Sequence, residues 1–392
     1  MCAFSLNSRP LMTQYLVNDL RVFASDPIVF LDVGARWGMN SEWAPFGDQM
    51  RVYCFEPDEE ECKRLAAMAP PYITYLPVAL SGRSGKATLF ESTLPASTSL
   101  YKTRMEYFGR LINRDNGVVL AEREIDVASL VDVMANHGIS RFDFIKLDVE
   151  GAELDILKGA GATLSSANVL GVLSEIRLQE EINGSLPFSA LDTFLRDKGF
   201  RLFDIEVHHQ SRVALPYPQL HDYRKPSGER FFANTTHGQV QDGDVLYFRD
   251  LFPGSGASVT TILKLCALFE IYSLNDCAAE LVLANKERLL SLAEPDRLLD
   301  LLAAGTSEAG FSYRDYMVSY FTDHSPKQEE PQSPEVTLRP SDIPPAGNGR
   351  ANTSQGWDDD DKGSLDLSSA RDEPEVLEDP SSFSEKTPAG ER

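Results

Sequence analysis

Residues 30–38 read Phe30-Leu31-Asp32-Val33-Gly34-Ala35-Arg36-Trp37-Gly38. An apolar run, Ile28–Val33, is rich in branched and aromatic residues and meets an acid near its end. Such a run reads as a buried strand. Gly34 then turns the chain, and Gly38 lets backbone or ligand approach closely because it carries no Cβ. In open α/β sheets the carboxyl end of a central strand is where ligands bind.

Working outward, the next apolar run, Val52–Phe55, is followed by Glu56 and Pro57. Glu56 lies 24 residues after Asp32, a spacing that suits an acid accepting hydrogen bonds from both ribose hydroxyls of a nucleoside. A dinucleotide fingerprint is G-x-G-x-x-G, whose backbone donors serve a diphosphate at a helix N-terminus. Here the spacing is Gly34-x-x-x-Gly38, with Asp32 two residues before the first glycine. That acid repels a diphosphate but suits a cationic sulfonium and its amino group, which favours S-adenosylmethionine over NAD. A second glycine pattern, Gly82-Arg83-Ser84-Gly85-Lys86, is followed by Ala87 rather than the Ser or Thr of a phosphate loop, and reads as a turn.

The rest of the chain alternates in the same manner. Phe142–Leu147 and Val169–Leu173 read as further buried strands, and Asp58–Ala69, Val127–His137, Ala152–Gly159 and Phe188–Lys198 as helices. The alternation predicts a doubly wound α/β fold with a mostly parallel sheet. Phe200–Val207 and Asp244–Arg249 read as two late strands with no helix between them, joined by a long functional loop from His208 to Gly243. Residues 86–90 and 118–126 look like a small side sheet, and 260–321 carry helical periodicity alone. The expected division is an N-terminal helical segment at 1–25, a catalytic domain at 26–250, a helical appendage at 251–323 and a disordered acidic tail at 324–392. That tail has 16 acidic and 7 basic residues and few large apolar ones, too little to offset its ordering entropy. Its Asp358–Lys362 run (DDDDK) resembles an enteropeptidase cleavage site but reads better as a chance run in an acidic tail, and no function is given to it.

With 37 Lys and Arg against 60 Asp and Glu, the formal charge is −23, which disfavours nucleic acid and anionic lipid as partners. The most apolar stretch, Val259–Leu274, is interrupted by Lys264 and Glu270, so no membrane span is expected. The start, MCAFSLNSRP, lacks the pattern of a signal peptide, and the five cysteines have no metal or disulfide spacing. A reducing cytoplasm is the expected location.

Residues 142–159 read FDFIKLDVEGAELDILKG. This stretch resembles the hallmark of the FkbM family of S-adenosylmethionine-dependent methyltransferases, close to IKxDVEGxE. LDVGARWG at 31–38, FEP at 55–57 and Val78-Ala79-Leu80-Ser81 fall in that family's order. The resemblance covers residues 26–250 and implies a seven-stranded Rossmann-like sheet, six strands parallel and one antiparallel. It also implies O-methylation of hydroxyls on sugars or natural products. On this reading Asp32, Gly34, Ala35, Gly38, Glu56, Pro57, Ala79 and Leu80 bind the cofactor. Arg36 departs from the pattern, standing where members often carry Asn.

Methyl transfer to an alcohol needs an aligned oxygen and a positioned base. Lys146 and Asp148 share one side of their strand, and Asp148 ends it beside the cofactor residues. Glu150 and Glu153 follow, and Glu153 also suits a helix N-terminus. Glu175 ends the next strand and is also placed to pair with Arg177. His208 and His209 open the long loop and offer a base titrating near neutrality. Asp148, Glu175 and His208 are therefore the catalytic candidates. Mg²⁺ would suit the Asp148–Glu175 pair, but no ligand set is assigned. Trp37, Trp43 and Phe46 could face a sugar ring or pack in the core. Two rival functions are an NAD-dependent oxidoreductase or epimerase acting on sugars, and a non-catalytic scaffold keeping the fold. The acceptor's identity and the oligomeric state are not legible.

Overall fold

A computed structural model describes residues 6–166, 168–215, 220–224, 230–234, 238–251, 256–306 and 311–324. The tail from 325 onward and its expected disorder lie outside the described residues.

Seven strands form the central sheet: β1 (Ile28–Val33), β2 (Met50–Phe55), β3 (Ile73–Leu76), β4 (Phe144–Leu147), β5 (Gly171–Arg177), β6 (Phe200–Gln210) and β7 (Gln239–Arg249). Their spatial order is β3-β2-β1-β4-β5-β7-β6. β7 runs antiparallel to both its neighbours, and the other pairs are parallel. The register sets Asp32 beside Lys146 across β1 and β4, and Leu147 beside Ser174 across β4 and β5. The C-terminal tips of these strands therefore form one rim.

Burial on both faces explains the unbroken apolar runs. Phe30, Phe144, Leu173 and Phe248 point into one core, and Leu31, Val33, Ile145, Val172 and Tyr247 into the other. The first core is closed by Trp43, stacked on Phe30 at 4.3 Å between centroids, and by Tyr272, stacked on Phe144 at 5.8 Å. Tyr272 follows the helix Val259–Ile271, and the residues of this helix from Ile262 to Ile271 are all buried. The C-terminal helices thus share the hydrophobic core of the sheet. A short N-terminal helical stretch, Leu11–Gln14 running into Tyr15–Asp19, packs into the same core through Met12, Leu16 and Val17.

Several element limits differ from the sequence reading. β3 was not anticipated, because a four-residue strand between proline-bearing segments carries little periodicity. Residues 127–129 continue a strand, Val119–Ser129, in the side sheet with Ala79–Ser81 and Gly85–Ser92, so the following helix begins at Leu130 with Ser129 as its cap. Among its described residues, the expected loop from His208 to Gly243 is mostly strand. β6 runs to Gln210, β7 starts at Gln239, and Leu220–Arg224 pairs with Arg230–Asn234 as a hairpin. His208 and His209 therefore sit inside a strand, not at a loop entrance. β6 is the sheet's last strand, with an exposed face, so its polar residues did not read as sheet.

Candidate active site

The glycine turn after β1 is held by neighbouring backbone. Gly34 (φ +89°) and Ala35 both donate their N–H to Phe55 O, at 3.1 Å each, and Gly38 N–H donates to Ala35 O at 3.0 Å. These amides are spent inside the turn, so the loop offers no ready cradle for a diphosphate. A Cβ on Gly34 would lie 1.9 Å from Asp148 O, which shows why the position needs glycine: the tips of β1 and β4 touch there. Trp37 points outward, 74% exposed, while Trp43 and Phe46 are core residues.

Asp32 is 1% exposed. Its Oδ2 accepts from Asn40 N–H at 2.8 Å, while its Oδ1 has no hydrogen-bond partner and lies 3.6 Å from Lys146 Nζ. Burial raises its pKa against the pull of Lys146. Glu56, 4% exposed, caps the tip of β2. Its Oε1 accepts from Asp58 N–H at 2.8 Å, and its own N–H donates to Leu76 O, tying it to the end of β3. Burial again raises the carboxyl's pKa, opposed by Asp58 N–H and Arg36. Arg36, the departure from the family pattern, lies 3.6 Å from Glu56 Oε1 and 3.1 Å from Asp58 Oδ2. Pro57 leads into the helix Glu59–Ala66, which Asp58 caps. Ala79 and Leu80, both buried, follow β3 by three and four residues. The cofactor candidates thus gather at the tips of β1 to β3.

On the next strand Lys146 Nζ donates to Asp148 Oδ2 at 3.2 Å, so one ammonium bridges Asp32 and Asp148. Burial disfavours this ammonium, but the two carboxylates outweigh it and hold its pKa above the lysine range. Glu175 does not join Asp148 as a pair. It is bound bidentately by Arg177 at 3.0 Å for each oxygen, within a cluster that also holds Glu150, Glu181 and Asp242. Burial, ahead of its acidic neighbours, drives its pKa well up. Glu153 Oε1 accepts from Val149 and Gly151 N–H, holding the turn that starts helix Glu153–Gly159. His208 Nδ1 lies 2.8 Å from Asp242 Oδ1, and Asp242 in turn meets Arg177 at 3.2 Å. Glu175 and His208 are thus linked through Arg177 and Asp242, whereas Asp148 contacts Lys146, beside Asp32. Among the described residues, no three or more His, Cys, Asp or Glu side chains are arranged to hold a metal ion.

Sequence reasoning missed Glu181, Asp242 and Asn113 as rim residues. The signal for Asp242 was present: Asp242 and Asp244 alternate just before the apolar run Val245–Phe248, placing both on one side.

The seven-stranded, mostly parallel sheet with its antiparallel β7 is the sheet that the family resemblance implies. Residues 32–202 match the methyltransferase FkbM domain, so the resemblance read from the motifs holds over that part of the chain. A 2-O-methyltransferase, NoeI, of Sinorhizobium fredii is 25% identical over 178 residues, 42% of this chain and 70% of its own. Among solved structures, a precorrin-6y C5,15-methyltransferase from Geobacter metallireducens is 10% identical, with TM-score 0.27, covering 64% of this chain and 94% of that one. A magnesium protoporphyrin IX methyltransferase from Synechocystis is 9% identical, with TM-score 0.27, covering 62% and 82%. Among the described residues no helix is long and apolar enough to cross a membrane.

Proposed function

We propose that this chain is an S-adenosylmethionine-dependent O-methyltransferase acting on a hydroxyl of a carbohydrate or other small natural product. The observation that carries the reading is the buried Glu56 at the tip of β2 beside a turn whose amides are already engaged by Phe55 O. A ribose finds an acceptor there, whereas the Gly34, Ala35 and Gly38 amides that could meet a diphosphate are already engaged, which weighs against a nicotinamide dinucleotide. The orphan Oδ1 of Asp32 is a buried acceptor suited to an ammonium group. The residues present thus fit a nucleoside joined to a cationic amino acid.

When bound, the cofactor supplies a methyl group on a positive sulfur. Glu56 would accept from the ribose hydroxyls, Asp32 would meet the amino-acid end, and Pro57, Ala79 and Leu80 would line the same pocket. Asp148, engaged by Lys146 through one carboxylate oxygen, would take the proton of the acceptor hydroxyl as the hydroxyl oxygen gains the methyl group that leaves the sulfur. The 2-O-methyltransferase NoeI, a relative of this chain, supports oxygen as the target atom.

Calorimetric titration with S-adenosylmethionine and with NAD⁺ tests the first half. Tight binding of the sulfonium and none of the dinucleotide is expected, with Glu56→Ala weakening the former by about tenfold or more. Undiminished binding by that variant would refute the assignment. Transfer of labelled methyl to a panel of sugars tests the second half, and Asp148→Asn should lower turnover by about 10²-fold or more without matching loss of cofactor binding.

A further inference from the structure

Beyond Asp148 the rim opens into a cavity of ≈ 100 Å³ whose lining includes Asn113, Glu150, Glu175, Arg177, Glu181 and Asp242. Arg177 is the cavity's one cation among the described residues, and its side chain is only 7% exposed. It contacts Glu150, meets Glu175 at 3.0 Å, and reaches Glu181 and Asp242 at 3.2 Å each. One guanidinium faces four carboxyls, so the wall is short of positive charge. Burial raises the Glu150 and Glu181 carboxyls to about 7, against the pull of Arg177.

A separate observation points the same way. Glu181 is fully buried, yet its Oε2 has no hydrogen-bond partner, and Asn113 Oδ1 is likewise buried and unpartnered. Against these two acceptors stands a single orphan donor in the wall, Arg177 Nε. Buried polar atoms without partners are scarce in folded proteins, and a group here must bring more donors than acceptors. The wall is also rigidly built. Glu150 keeps a positive φ of 61°, with its carbonyl accepting from Ser99 Oγ at 2.8 Å and its carboxyl bound to Arg177.

We propose that this cavity is the subsite for a protonated amino group, so that the molecule taken up at this rim is a hydroxylated amine such as an amino sugar or amino alcohol. The sheet order places the subsite on the β5–β7 side of Asp148 and the cofactor residues on its β1–β2 side. An anchored amine would leave a hydroxyl of the same molecule at Asp148. Only the naming of this molecule as methyl acceptor rests on the methyltransferase reading; the charge deficit and the orphan acceptors stand without it.

The test is titration of the full chain with D-glucosamine, D-glucose and N-acetyl-D-glucosamine near neutral pH, followed by NMR, with and without S-adenosylhomocysteine. Glucosamine should bind about tenfold or more tightly than the two neutral sugars. Glu181→Gln turns the orphan acceptor into a donor and should erase that preference while S-adenosylhomocysteine still binds. Asn113→Ala, which removes the second acceptor, should reduce the preference and serves if the first variant does not fold. Equal affinities for the three sugars, which would mark a neutral polyol site, or a preference surviving in the folded variants, overturns the proposal. Amine preference without S-adenosylhomocysteine binding would instead overturn the methyltransferase reading and leave the subsite standing.

Discussion

Gly34 and Glu56 show how single residues set this rim. At Gly34 two requirements coincide, a φ of +89° and a backbone oxygen of Asp148 where a Cβ would stand. Gly34→Ala should therefore cost about 3 kcal/mol or more of stability, read as a lower urea midpoint, because both strain and overlap must be relieved. Neutral behaviour of this variant would mean that the tips of β1 and β4 do not meet as described. Glu56 and Asp32 were legible as site candidates because each interrupts the end of an apolar run. Arg36 was legible only as a departure. Its contact with Glu56 and Asp58 depends on two strand tips being brought side by side.

Among the elements, the helix Val259–Ile271 is the instructive case. The two charges that break its apolar run, Lys264 and Glu270, are both buried. Lys264 Nζ donates to Pro27 O at 3.1 Å and pairs with Asp26 and Asp143 at 3.2 and 3.4 Å, joining the helix to the entry of β1 and β4. Glu270 accepts from Met12 N–H, Thr13 N–H and Thr13 Oγ1 at 2.9, 2.6 and 2.7 Å, holding the N-terminal helical stretch. Glu270→Ala leaves those donors without an acceptor, so stability should fall by about 2–4 kcal/mol. Amide exchange at Met12 and Thr13 should accelerate more than exchange in β1. Equal acceleration in both would indicate global rather than local loosening.

Over the whole molecule, burial of acids gives stability a definite pH slope. Burial raises Glu150, Glu181 and Glu270 to about 7 and Asp244 to about 6, from ordinary values of 4.5 and 3.8. The folded chain therefore holds protons that the unfolded chain has already released. Stability should fall as pH rises from about 4.5 to about 7, where the folded carboxyls finally ionise. Carboxyls held below their ordinary values, such as Asp58 by backbone N–H groups and Asp192 by Arg196, titrate beneath this window and do not oppose the trend. Urea unfolding at pH 5.5 and 7.5 should show the chain more stable at the lower pH by at least ~1 kcal/mol. A flat or rising profile would mean that these carboxyls are not proton-bound in the folded state.

What the residues alone determined is the α/β layering and the family motifs, since apolar runs, glycine turns and acids near strand ends are local patterns. Only the tertiary structure decided that His208 lies within β6 against Asp242, that Glu175 is claimed by Arg177, and that Glu181 and Asn113 leave acceptors open in one cavity. These depend on residues far apart in the chain meeting at a rim, and on how far each charge is removed from water. No periodicity encodes either quantity, because pairing across strands and the depth of burial exist only once the sheet is closed.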